Sequence, residues 1–200
     1  MYRGSGPRIF PIIIIILVVA FIIAGLVSLG RVFFTSGNST TATPESTESV
    51  LTSVKNTENG RSVSWTVRGP IVADEQFRSY QITISPSERK FVTYSGYLDQ
   101  VTDSRSFTNN QKAYEQFVYA LDKAGIGQTK NVTDTDYRGV CATEGFAYIF
   151  TTMNGESADH TLWTSSCKGS KGTMGANVTQ VHALFVNQVP GFKPLFTQIY

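Results

Sequence analysis

Hydrophobic and polar positions follow three regimes along this chain: an unbroken apolar run, a hydroxyl-rich tract, and then alternation. The run is Ile9 to Gly30, IFPIIIIILVVAFIIAGLVSLG, and it carries no charge. As a helix it would extend roughly 33 Å, enough to cross a bilayer core. A transmembrane helix over 9–30 is therefore expected, behind a short N-terminus at 1–8. Arg3 and Arg8 precede the run and Arg31 follows it. That bias places the N-terminus in the cytoplasm and the rest of the chain outside. Ser28-Leu29-Gly30 has the small-x-small form of a cleavage site, but the apolar core is longer than a signal-peptide core, which favours an uncleaved signal-anchor. Pilin-like N-terminal helices resemble the stretch in being apolar. They carry a Glu near the helix start, whereas no acidic residue here precedes Glu45.

The second regime is the stalk, 31–60. Twelve of the 26 residues from Thr35 to Gly60 are Ser or Thr, and the large apolar residues there are Val50, Leu51 and Val54. So little apolar surface does not offset the entropy of ordering, and a flexible tether is expected. Its root-mean-square span would be about 25–30 Å. The alternative is that Val50, Leu51 and Val54 mark one helical turn docked on the domain.

The third regime, 61–200, predicts a folded domain. Val63, Trp65 and Val67 alternate with Ser62, Ser64 and Thr66, and Gly69-Pro70 closes that strand. Tyr80, Ile82 and Ile84 form a second alternating strand, stopped by Pro86. Phe91, Val92, Tyr94 and Tyr97 suggest a third over 90–98, with Gly96 as a bulge. Thr108-Asn109-Asn110-Gln111 reads as a capping box. Tyr114, Phe117, Leu121 and Ala124 then share a helical face, and Gly125 suits the left-handed C′ position. Phe146, Tyr148 and Phe150 alternate ahead of a partner strand over 161–166, across a loop longer than two residues that contains Asn154-Gly155. Asn177 is a good N-cap for a second helix presenting Val178, Val181, Leu184 and Phe185. The apolar tail from Phe192 should pack back on the core. The order, βββαββα, predicts an α+β domain: a five-stranded antiparallel sheet with two helices on one face.

Charge and chemistry change this picture little. From Arg61 onward the chain has 13 Lys+Arg against 12 Asp+Glu, scattered, which gives no electrostatic footprint for nucleic acid. Cys141 and Cys167 are the only cysteines. Pairing of 146–152 with 160–166 brings them to one open end of a hairpin, so a disulfide is expected in an oxidising compartment. Their spacing from His160 and His182 matches no metal motif, and no cofactor is implied. Gly125–Lys130 ends a helix where a phosphate loop would begin one, and Gly169–Gly175 matches neither nucleotide fingerprint. Asp159-His160 and Ser165-Ser166 have the residue types of a hydrolytic triad without its context, and both histidines are expected at the surface. Three sequons, at Asn38, Asn131 and Asn177, are present.

The expectation is a membrane-anchored, non-enzymatic binding module. Its partners would be the lipid bilayer, through the anchor, and an extracytoplasmic protein or soluble ligand. The alternative is a protease inhibitor that inserts the Met153–Asp159 loop or the glycine-rich loop into a cleft. An envelope hydrolase is the third reading.

Overall fold

The structure is a computed structural model that describes residues 47–132, 135–141, 144–169 and 172–193. The expected N-terminus at 1–8, the anchor at 9–30, the stalk up to residue 46 and the end of the tail lie outside them. Among the described residues no helix is long and apolar enough to cross a membrane.

The domain is α+β, with six antiparallel strands and three helices rather than five and two. The elements are α1 (Thr47–Lys55), β1 (Arg61–Arg68), β2 (Arg78–Ile84), β3 (Glu88–Ser95), β4 (Gln100–Thr108), α2 (Gln111–Lys123), β5 (Ala147–Asn154), β6 (Ser157–Ser165) and α3 (Val178–Val186). The sheet order is β4-β3-β2-β1-β5-β6, so β1 is central and α2 carries the chain back across the sheet.

The alternation read in β1, β2 and β5 sets the inner face. Val63, Trp65 and Val67 sit opposite Ile84, Ile82 and Tyr80 on one side, and opposite Thr152, Phe150 and Tyr148 on the other. These residues form one core with Val50 and Val54 of α1, Tyr114, Phe117, Val118 and Leu121 of α2, and Val181 and Phe185 of α3. The tail begins as expected, with Phe192 edge-on to Tyr80 and Phe91.

Helix α2 ends as the sequence indicates. Gly125 has φ of 77°, its N–H donates to Asp122 O, and Ile126 N–H donates to Leu121 O. That is the full Schellman pattern, with Ile126 buried as its apolar contact. At the start, the capping box is displaced by two residues. Asn110 is the N-cap, and its side chain accepts from Ala113 N–H. Asn109 is drawn off to donate to Ser85 O across the β2–β3 turn.

Three expectations need correction. Strand β4 carried no alternation to read, because it is an edge strand largely exposed on both faces. Gly96 is part of the β3–β4 turn, and the irregularity lies between Thr93 and Tyr94, opposite Thr102. Finally, the flexible stalk does not extend through 47–60. Residues 47–55 form α1, whose Val50 and Val54 are fully buried.

An ion pair between a buried arginine and a more exposed carboxylate holds α1 down. Arg61, at the start of β1, is 2.6 Å from Asp159 on β6. The same guanidinium donates to Ser53 O (3.3 Å) and to Ser53 Oγ. Ser53 Oγ in turn donates to Thr152 Oγ1 and Asp159. Four elements thus meet at one charge that is costly to bury unpaired.

Val50→Ala or Val54→Ala should each lower stability by about 1–3 kcal/mol, the scale of losing buried methyl groups. Urea denaturation checks this, since a free stalk would show no change at either position.

Candidate functional site: the open face of the sheet

Among the described residues, the helices cover one face of the sheet and leave most of the other uncovered. Side chains alternate, so Ser62, Ser64 and Thr66 of β1 point away from the helices. The register carries the same parity across every strand. Thr161, Thr151, Ser64, Thr83, Lys90 and Ser106 stand opposite one another in sequence, one from each of the six strands. At the usual strand spacing this row spans about 24 Å. The next row is Trp163, Ile149, Thr66, Gln81, Val92 and Ser104.

Bulk varies along these rows. Ser64 and Val92 are buried at the floor, Thr66, Gln81, Thr83 and Thr151 are half-buried, and Lys90, Ser104, Ser106 and Thr161 are exposed. Gln81 Nε2 donates to Thr66 Oγ1 at 3.0 Å, and the Thr151 and Thr161 hydroxyls are 3.5 Å apart. The result is a shallow hydroxylated surface. Its charged members include Glu88, Lys90 and Arg68, and Arg68 is held by Asp99 at 3.0 Å and lies over Phe77.

One end of this face is covered. Ala147, Ile149 and Trp163 form a second apolar cluster under Tyr137 and Val140. The covering loop is fixed by the disulfide between Cys141 and Cys167, with a Cα–Cα distance of 5.6 Å. Cys141 O also accepts from Ile71 N–H, which ties the loop to the β1–β2 connection. The expected pairing is thus present, on the expected hairpin: Ala147 faces Ser165 at its open end. The turn between β5 and β6 is tighter than expected. Asn154 pairs with Ser157, so most of Met153–Asp159 is strand and only Gly155 and Glu156 form the connection. A bulge after Thr152 absorbs the extra residue, Asp159, and turns it toward Arg61.

The triad-type residues are not brought together. Asp159 is engaged by Arg61 and Ser53. His160 pairs with Thr152 on the helix side of the sheet and is half-buried rather than solvent-facing. Ser165 lies at the far end of β6, and Ser166 Oγ accepts from Phe146 N–H. Among the described residues no group of three or more His, Cys, Asp and Glu gathers as metal ligands. The glycine-rich segment packs along β6: Met174 N–H donates to Trp163 O, and Thr173 Oγ1 accepts from Trp163 N–H. A Cβ at Gly172 would lie 2.1 Å from Trp163 O, so only glycine passes there. Asn177 caps α3 by accepting from Gln180 N–H.

His182 also departs from the surface position expected for it. Its Nδ1 accepts from Trp65 Nε1 at 3.1 Å, and the ring lies edge-on to Tyr148. Accepting at Nδ1 requires the neutral tautomer with its proton on Nε2. Burial holds its pKa below the usual histidine value. A cue was present in the sequence: a core tryptophan needs an acceptor for its N–H.

No family model, curated protein or solved structure matches this chain.

The His182 pKa is depressed in the fold, so the unfolded chain binds more protons as pH falls below about 6.5. Stability should be full above that pH and decline through the mildly acidic range. His182→Leu should remove this dependence and cost about 1–3 kcal/mol at neutral pH, because Trp65 Nε1 loses its acceptor. Thermal unfolding from pH 5 to 8 measures both effects.

Proposed function

We propose that this chain is a single-pass membrane protein that holds a small binding domain outside the membrane and uses the open sheet face as its contact surface. The observation that carries the reading is the row across six strands, five hydroxyl residues and Lys90, that the helices leave uncovered. Two features support the location. The uncharged stretch from Ile9 to Gly30 is long enough to span a bilayer, and Cys141 and Cys167 are joined, as suits an oxidising compartment.

Hydroxyl and amide groups both donate and accept. A face built from them, with little net charge, suits an uncharged ligand rich in hydroxyl and amide groups, such as a glycan strand or a neutral protein surface. Asp159, His182 and Ser166 are held by partners within the fold, away from this face. A binding surface is the reading that this face supports.

Protease added outside intact cells or spheroplasts should release the domain by cutting between Arg31 and Ser46. Full protection until lysis would place the domain on the other side and sink the topology.

The face itself is tested with full-length protein by affinity electrophoresis against neutral and anionic polysaccharides. Neutral polymers should retard the wild type, and Thr66→Arg with Thr83→Arg should abolish the retardation while leaving the unfolding transition in place. Retardation unaffected by the two arginines, or absent with every polymer, would reject the glycan reading of this face.

A further inference from the structure

We propose that two copies of this chain pair through β4, antiparallel, about a two-fold axis at Ser104. The two edges of the sheet are treated differently. Along β6, the segment around Thr173 and Met174 takes up the outer hydrogen bonds of Trp163. Along β4, nine residues from Gln100 to Thr108 form the other edge, and all but Asp103 and Phe107 are exposed. Among the described residues β3 is the element in extensive contact with this strand, and its outer side carries no further strand. Ser104 N–H donates to Asp103 Oδ1 at 2.9 Å, a bond that strand pairing would exchange, and an edge of this length is a template for strand addition.

The order of charges selects the occupant. Asp103 and Arg105 lie opposite Thr93 and Phe91, so both project on the helix side of the sheet. Within one chain they form an exposed ion pair of 3.0 Å. A second β4 laid antiparallel about Ser104 sets Asp103 of each copy against Arg105 of the other, giving two opposite-charge cross-strand pairs. Moving the axis by one residue sets Asp103 against Asp103, or Arg105 against Arg105. Like charges directly opposite are destabilising, so the edge accepts its own copy in one register. Such an interface is isologous and closes as a dimer.

Charges and bulges are also the usual means of blocking an edge. The bulge here sits at Thr102, whose hydroxyl is 2.7 Å from that of Thr93, so it lies to one side of the proposed axis. It limits how far pairing runs. Beyond it Val101, 58% exposed, stands opposite Tyr94 on the open face, whereas Phe107 packs on the helix side, so pairing is not continued past the bulge.

The test uses the full-length chain reconstituted in lipid vesicles. Ser104→Cys places two thiols directly opposite each other, with Cα atoms about 4.5–5.5 Å apart, within disulfide reach. Mild oxidation should yield a covalent dimer on a non-reducing gel. Ser106→Cys, whose thiols face Thr102 and not each other, should yield about fivefold less, which corrects for association through the N-terminal segment. On the Ser104→Cys background, Asp103→Arg alone or Arg105→Asp alone should reduce the yield to the Ser106→Cys level. Mixing those two variants under different tags should restore a heterodimer, and combining both changes in one chain should restore the homodimer. Equal yields at 104 and 106, or a yield indifferent to the charge reversals, would overturn the proposal. Cross-linking to a different protein would also overturn it, by giving the edge to another strand.

Discussion

The indole of Trp65 has to be buried whole, and its one N–H still has to find an acceptor. The ring lies on the central strand between Ile82 and Phe150, stacked at 5.7 Å on both Tyr148 and Phe185. His182 supplies the acceptor. Those contacts draw α3 onto β1 and β5, and they fix which turn of α3 faces the sheet. An unsatisfied donor at that depth costs more than a typical hydrogen bond contributes. The half-buried, neutral histidine is therefore a structural requirement of the tryptophan. The same requirement would make the fold sensitive to mild acid, since burial lowers the His182 pKa.

A second constraint acts at the other end of β1. Arg61 is 8% exposed, and its charge needs the Asp159 carboxylate and the Ser53 hydroxyl. Ser53 belongs to α1, so the helix is tied into the sheet by a polar knot as well as by Val50 and Val54. Tyr114 of α2 shares this region, and burial pushes its hydroxyl up to about 12, with Arg61 opposing the rise. A chain segment rich in Ser and Thr thereby becomes part of the core. Its Ser53 hydroxyl serves as a hydrogen-bond partner to the buried Arg61, not as part of a solvated spacer.

The two faces of the sheet follow from the same alternation. Large apolar residues at the odd positions of β1 build the helix side, and small hydroxylated ones at the even positions build the open side. The disulfide loop covers only the end where Ile149 and Trp163 would otherwise lie bare. Elsewhere Ser64 needs no cover, because its neighbours already bury it. The proposed contact face uses side chains and the proposed β4 pairing uses the strand's outer backbone edge, so a dimer would present two open faces on the same side of one continuous sheet.

Local pattern was enough to establish strands β1, β2 and β5, the α2 stop at Gly125, the N-cap at Asn177 and the joining of Cys141 to Cys167. Each rests on interactions a few residues apart, or on a hairpin whose ends are close in sequence. The apolar stretch from Ile9 to Gly30 is likewise a property of the sequence alone. Tertiary structure decided the rest. Strand β4 exists because β3 offers it a hydrogen-bonding edge, and its sequence carries no stripe because neither of its faces is fully buried. Helix α1 forms because a sheet face and Arg61 await it, while its own composition argues for a tether. Asp159 and His160 look catalytic side by side, yet a bulge turns the carboxylate to an arginine 98 positions earlier in the chain. Pairing between distant residues, which sets where a charge or an indole is satisfied, leaves no periodic trace in the sequence that encodes it.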